Sequence, residues 1–407
     1  MKSDLQRELM LKALFHIEAR TTDLTDQVFR QPASYYFDPV RAEDERRLLF
    51  SNPSSPLLIA MSCSIPDSGD YTTDDLTGVP LLVVRGQDGV ARVFRNACQH
   101  RGARIAEGCG HARALICPYH GWTYSLDGSL KSIPHNESFP GVLPHDHGLK
   151  QLPTAERHGM IWALPHPAAD GSTTFDVTEF LGRLDAELET YNIASYHRYH
   201  LTNLKSKMNW KLVMDSFLEA YHFGVLHRDT VARIFIHNLS LFEGFGMHLR
   251  EMFPRSSIIL EKVQPGDEQD ALRHNSIIYL LFPNTVIINQ VDHLEVWRIF
   301  PQEGKPEESR MELDFLIPAP AMTDSARGHW ERSLDLTVQT VLKEDFATAE
   351  GIQQNYSNGS VSHATIGRCE PALAHFERTV NEQMVLRAQA SARLVPGKST
   401  RRAEKAK

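Results

Sequence analysis

Between residues 98 and 120 the chain reads CQHRGARIAEGCGHARALICPYH, and no other stretch limits its fold so tightly. Within it Cys98-x-His100 and Cys117-x-x-His120 form two short pairs separated by sixteen residues, with Cys109 outside both. One or two intervening residues let neighbouring side chains turn toward the same point, so each loop can offer two donors to a metal. Two such loops need a rigid frame behind them. The flanking sequence supplies one: VPLLVVRGQDGVARVFR predicts a hairpin turning at Asp88-Gly89, and GWTYSLDGSLKSI a second at Asp127-Gly128. Residues 45–165 are therefore expected to form an all-β domain carrying the two loops at its tip.

The order of donors narrows the metal. Structural zinc modules usually pair Cys with Cys and His with His along the chain, whereas here each loop brings one of each. That mixed order suits a 2Fe-2S cluster of the Rieske type, in which one iron takes both thiolates and the other both imidazoles. Zinc bound by the same four residues is the competing reading.

Bulk properties exclude several partners. The 407 residues carry 43 Lys and Arg against 51 Asp and Glu, a net charge of -8, the wrong sign for a long footprint on nucleic acid. Charges run throughout MKSDLQRELMLKALFHIEAR, so no signal peptide is expected, and no later run is apolar enough to span a membrane. Five cysteines, three of them clustered, suit a reducing cytoplasm and metal use better than a disulfide framework.

Beyond the connector PHPAADGSTT the pattern changes to helix. The expected organisation is an N-terminal helical arm over 1–44, the β domain over 45–165, a second domain over 166–394 and a disordered tail over 395–407. In the second domain SIIYLLFPNTVIINQ, LEVWRIFP and RMELDFLIP read as an antiparallel sheet, and a long helix is expected over about 327–355. The fold class is thus α+β. In NWKLVMDSFLEAYHFGVLHRD, Glu219 and His222 fall on one helical face, and a helix break near Gly224 would let His227 curl back beside His222. Two imidazoles want a carboxylate to complete a three-ligand face on iron(II) with positions open for O2. Val338, Leu342, Asp345, Ala349 and Ile352 form an apolar stripe on the long helix, with Glu344 off it, so Asp345 is the expected third ligand. Trp210 and Phe217 read as packing residues, and Ser216 receives no role.

NACQHRGARI and ICPYHGWTYSLDGSL resemble the cluster loops of Rieske oxygenases; NWKLVMDSFLEAYHFGVLH, LFPNTVI and EDFATAEGIQQNYSNGS resemble that family's iron segment, a sheet segment and the carboxylate helix. The chain is identified as similar to the catalytic α subunit of a Rieske non-heme iron oxygenase. That resemblance implies an N-terminal Rieske domain and a C-terminal helix-grip catalytic domain, a 2Fe-2S cluster and a mononuclear Fe(II). It also implies a homotrimer, with or without a β subunit, and Glu219 at the position that bridges His222 to a cluster histidine, His120, of a neighbouring subunit. Many members carry Asp there. No nucleotide-binding motif stands in a strand-turn-helix context, so NAD(P)H electrons are expected through a separate reductase or ferredoxin. The expected reaction is hydroxylation of an aromatic small molecule; oxidative N- or O-demethylation or quaternary-amine oxidation is the alternative.

Overall fold

Short strands of two to five residues, many separated by glycine turns, fill the stretch from Leu57 to Ala163. The computed structural model describes residues 1–264 and 271–394 and folds these strands into three small antiparallel sheets. One holds five strands in the order Gln151–Leu152, Ala91–Arg95, Leu81–Arg85, Asp70–Asp74 and Cys109–His111. A second joins Thr154–Arg157, Met160–Ala163 and Leu57–Met61, and the third Leu115–Ile116, Thr123–Tyr124 and Leu130–Ser132. Both expected hairpins form. Gly89 and Gly128 adopt positive φ, 77° and 85°, within the five-residue loops between Arg85 and Ala91 and between Tyr124 and Leu130.

The second half is built on a seven-stranded antiparallel sheet in the order His197–Ser206, Lys305–Ile317, Leu294–Gln302, Thr285–Asn289, Asn275–Leu281, His248–Pro254 and Leu241–Phe245. Its central strands are buried on both faces, which explains their unbroken apolar runs. Alternation sorts the faces. Ile278, Leu280, Val286, Ile288, Trp297 and Ile299 pack with Val341 and Phe346 of the long helix. Ile277, Tyr279, Leu281, Ile287 and Val296 pack with Leu9 and Met10 of the N-terminal helix, with Leu181 and Leu188, and with Leu58 and Trp162 of the β region.

The long helix runs as Asp324–Thr337, a π-helical stretch Val338–Asp345, and Phe346–Ser357. Thr323 caps it by accepting from the Ala326 N–H. The π stretch corrects the expected stripe: hydrogen bonds spanning five residues widen the turn and shift the phase of the buried face. Asp345, Phe346, Ala349, Gln353 and Tyr356 are buried, whereas Ile352 is 38% exposed. A second correction concerns residues 208–227. The α-helix there covers only Trp210–Asp215, so Glu219 and His222 sit in the turns that follow it. Gly224 is needed for another reason than a break: a Cβ there would lie 2.9 Å from His237 Nδ1.

The N-terminal arm is not a continuous helix. Helix Ser3–Ala19 is followed by strand Phe29–Pro32, which pairs with His363–Ile366 at the other end of the sequence, and by helix Pro39–Glu45. Helix Pro371–Leu394 closes the described chain; the expected tail over 395–407 lies outside the described residues. Among the described residues no helix is long and apolar enough to cross a membrane.

Candidate active site

The loop 96–103 folds back on itself through two hydrogen bonds, Cys98 N–H to Ala103 O at 2.8 Å and Gly102 N–H to Cys98 O at 2.8 Å. The loop 117–122 repeats the device: the Cys117 N–H donates to Trp122 O at 2.8 Å and the Gly121 N–H to Cys117 O at 3.0 Å. Gly102 and Gly121 carry the positive φ values, 83° and 72°, that these tight loops require. The result sorts the four donors by type. Cys98 and Cys117 are buried neighbours without a disulfide, and the His100 and His120 rings lie 4.7 Å apart. Trp122 stacks on His100 at 4.9 Å, and the Tyr124 Oη lies 3.2 Å from Cys98 Sγ while accepting from the Gln99 N–H at 2.9 Å.

This sorting bears on zinc against cluster. A single tetrahedral ion with bonds of about 2.0–2.3 Å draws all its donors within about 4 Å of one another. Among the described residues, the only group of three or more Cys, His, Asp and Glu whose ligand atoms all lie within 4.8 Å of one another is elsewhere. A thiol pair and an imidazole pair standing side by side fit a two-iron cluster with both thiolates on one iron and both imidazoles on the other. Burial raises the Cys98 thiol above its ordinary value, partly offset by Tyr124. His120 is exposed, and the imidazole end of the site faces outward.

The group within 4.8 Å is His222, His227 and Asp345. The chain leaving helix Trp210–Asp215 is bent by Glu219, whose carboxylate accepts from the backbone N–H groups of Tyr221 and His222 and from His222 Nδ1. His227 Nδ1 donates to Glu344 Oε2 at 2.7 Å, and Thr230 Oγ1 donates to the same oxygen at 2.7 Å. Ionised carboxylates only accept, so each Nδ1 carries the hydrogen and each Nε2 is left with a bare lone pair. Those lone pairs face each other at 3.0 Å, and Asp345 Oδ1 lies 3.0 Å from His227 Nε2 and 3.4 Å from His222 Nε2. With His222 neutral these are three converging electron-pair donors, and either a proton on His222 Nε2 or a metal ion in its place satisfies the arrangement. Burial alone would lower the His222 pKa, but the carboxylates of Asp345 and Glu219 outweigh it and hold it up to about 10. The same field favours a divalent metal.

The three donors stand at the wall of a cavity of about 400 Å³ between the sheet and the long helix. Phe217, Phe223, Phe235 and Phe253 line it; Phe223 lies 5.3 Å from Phe235 and 5.2 Å from Phe253 between ring centroids. Phe217, expected as packing, thus serves both core and cavity, and Ser216 lines it too. On the opposite wall Asp292 accepts from His293 Nδ1 at 2.9 Å and His329 Nε2 at 2.7 Å, and buried Glu295 accepts from Thr337 Oγ1 at 2.7 Å.

The structure gathers His222, His227 and Asp345, and sets Cys98 beside Cys117 and His100 beside His120. Glu219 touches His222, and its carboxylate has no hydrogen bond to His120 within the chain among the described residues. Glu344 is the residue that sequence reasoning missed. Its one signal was adjacency to Asp345, since a metal-bound His commonly donates its other N–H to an acid.

Comparison with known proteins agrees with this geometry. The Rieske [2Fe-2S] domain family matches residues 55–153, and the ring hydroxylating alpha subunit (catalytic domain) family matches residues 190–386. The glycine betaine monooxygenase oxygenase subunit of Chromohalobacter salexigens is 33% identical over 221 residues, 52% of this chain and 48% of that one. The biphenyl 2,3-dioxygenase subunit alpha of Rhodococcus jostii is 30% identical over 305 residues, 72% of this chain and 59% of its own length. The match thus spans about half the length of the first of these curated relatives. Among solved structures, the quaternary ammonium Rieske monooxygenase CntA with L-carnitine superposes with a TM-score of 0.73 at 20% identity, covering 89% of this chain and 96% of that chain.

Proposed function

The chain belongs to the Rieske non-heme iron oxygenase α-subunit family, and from that premise we propose that it is a terminal oxygenase oxidising a quaternary-amine substrate. The observation that carries the oxygenase reading is the convergence of His222 Nε2, His227 Nε2 and Asp345 Oδ1 at the cavity wall. His222, His227 and Asp345 would hold an iron(II) that supplies O2 activation, and Cys98, His100, Cys117 and His120 would hold a 2Fe-2S cluster that supplies electron transfer, with NAD(P)H as ultimate donor through a separate reductase or ferredoxin.

The protein's own residues do the rest. Glu219 and Glu344 fix the tautomers of His222 and His227, so both Nε2 atoms point at the shared site. The four phenylalanines exclude water and hold the substrate against that site. Aromatic faces attract a cationic head within about 6 Å, and Asp292 and Glu295 add negative charge to the same chamber. Glycine betaine and carnitine monooxygenase subunits among the relatives support the same substrate class. Glu219, partly exposed beside His222, accepts a hydrogen bond from the exposed His120 of a second copy and links two metal sites in a head-to-tail homotrimer. Cysteine usage supports a cytoplasmic enzyme.

A second reading, hydroxylation of an aromatic ring, is favoured by the phenylalanine lining and by the extent of the biphenyl dioxygenase match. Oxygen uptake with a reconstituted reductase separates the two. Quaternary amines should drive uptake with stoichiometric release of an aldehyde. Uptake only with arenes, giving a diol or phenol, would replace the first reading by the second.

A further inference from the structure

Arg255 follows the last residue of strand His248–Pro254, and it is the only Lys or Arg among the described residues that line the cavity. Its backbone is fixed: the N–H donates to His274 O at 2.8 Å, and the residue bridges Phe235. Its side chain is half-buried, with the guanidinium carbon 5.6 Å from the centre of the Phe235 ring. Among the described residues no carboxylate lies within ion-pair distance of it, and none of its five N–H donors has a hydrogen-bond partner. The acid whose field it feels is Asp292, but both Asp292 oxygens are already engaged by His293 and His329. A half-buried guanidinium with no protein acceptor keeps its donors open to the cavity, and its planar fork matches a carboxylate with two parallel hydrogen bonds.

We propose that Arg255 anchors a carboxylate on the substrate, which makes that substrate an acid and, with a cationic head, a zwitterion. This rests on the cavity being the oxygenase site. The geometry orients the molecule. Of the cavity's walls, Val291 and Leu336 are 46% and 39% exposed, whereas His227 is 1% exposed, so the mouth lies on the Asp292 side and the metal site at the floor. Arg255, within the field of Asp292, holds the acid toward the mouth. The opposite end of the molecule then reaches Phe223 and the metal face.

Calorimetry on anaerobic holoenzyme tests this with two matched pairs in which the acid is exchanged for an alcohol: glycine betaine with choline, and benzoate with benzyl alcohol. The wild type should bind the carboxylate member of at least one pair about 10–100-fold tighter than its partner. Arg255→Gln should bring that ratio close to one, and Arg255→Lys, which keeps the charge but not the fork, should retain part of it. An unchanged ratio in Arg255→Gln, or a wild-type ratio near one in both pairs, would overturn the anchor. Preference for benzoate without affinity for either amine would keep the anchor and sink the quaternary-amine reading. Equal affinity for glycine betaine and choline, with none for the arenes, would do the reverse.

Discussion

His227 has one ring nitrogen for a metal and one for Glu344, and the second decides what the first can do. With Nδ1 held by Glu344, which Thr230 in turn fixes, the ring cannot rotate or change tautomer without losing that hydrogen bond. Glu344→Gln, which can present its N–H₂ to that nitrogen, is expected to weaken iron retention about 10–100-fold against a chelator, with the visible absorption of the cluster unchanged. Asp345 was legible in the sequence because a carboxylate on an apolar stripe is costly unless it is paired or binds a metal. Glu344 was not, because its partner lies 117 residues away and an acid off the stripe looks like any solvated one.

Along the elements, the long helix shows where periodicity stops being a guide. The π stretch Val338–Asp345 turns Phe346 and Gln353 inward and leaves Ile352 outside. Phe346→Ala should therefore cost about 3–5 kcal/mol in denaturant unfolding, while Ile352→Ala should stay within about 0.5 kcal/mol. Equal costs would restore the stripe expected from a regular helix. The closing helix Pro371–Leu394 carries a buried acid, Glu377, whose Oε1 accepts from Tyr36 Oη at 2.9 Å and whose Oε2 accepts from Gln31. Burial pushes its pKa up to about 7 from an ordinary 4.5, against the pull of Lys211. A raised folded pKa means the folded state binds the proton more tightly. The stabilisation is complete below about 4.5 and is lost as pH rises through about 7. Thermal midpoints should fall across that window, and Glu377→Gln should flatten the fall. A wild-type midpoint independent of pH between 4.5 and 7 would contradict the assignment. Nothing local in the sequence marks Glu377, since its neighbours Tyr36, Gln31 and Lys211 come from distant segments.

For the whole molecule, the two-centre plan was written in paired donors and glycine turns, and the sheet in its apolar runs. The way the halves are tied together was not. Arg298 of the catalytic sheet donates to Ile59 O and to Asp74 of the β region while pairing with Glu312, and strand Phe29–Pro32 pairs with residues more than 330 positions away. Such contacts depend on packing between segments that no short-range pattern joins. They make a rigid frame whose purpose, on the present account, is to hold a thiol-imidazole cluster and an imidazole-carboxylate iron as separate centres. Metal and acid-labile sulfide analysis of anaerobically prepared protein, beside its Asp345→Ala variant, measures that directly. About three irons and about two sulfides per chain are expected for the wild type, and about two irons with the same sulfide for the variant. Zinc without sulfide, or iron content unaffected by the substitution, would contradict the account.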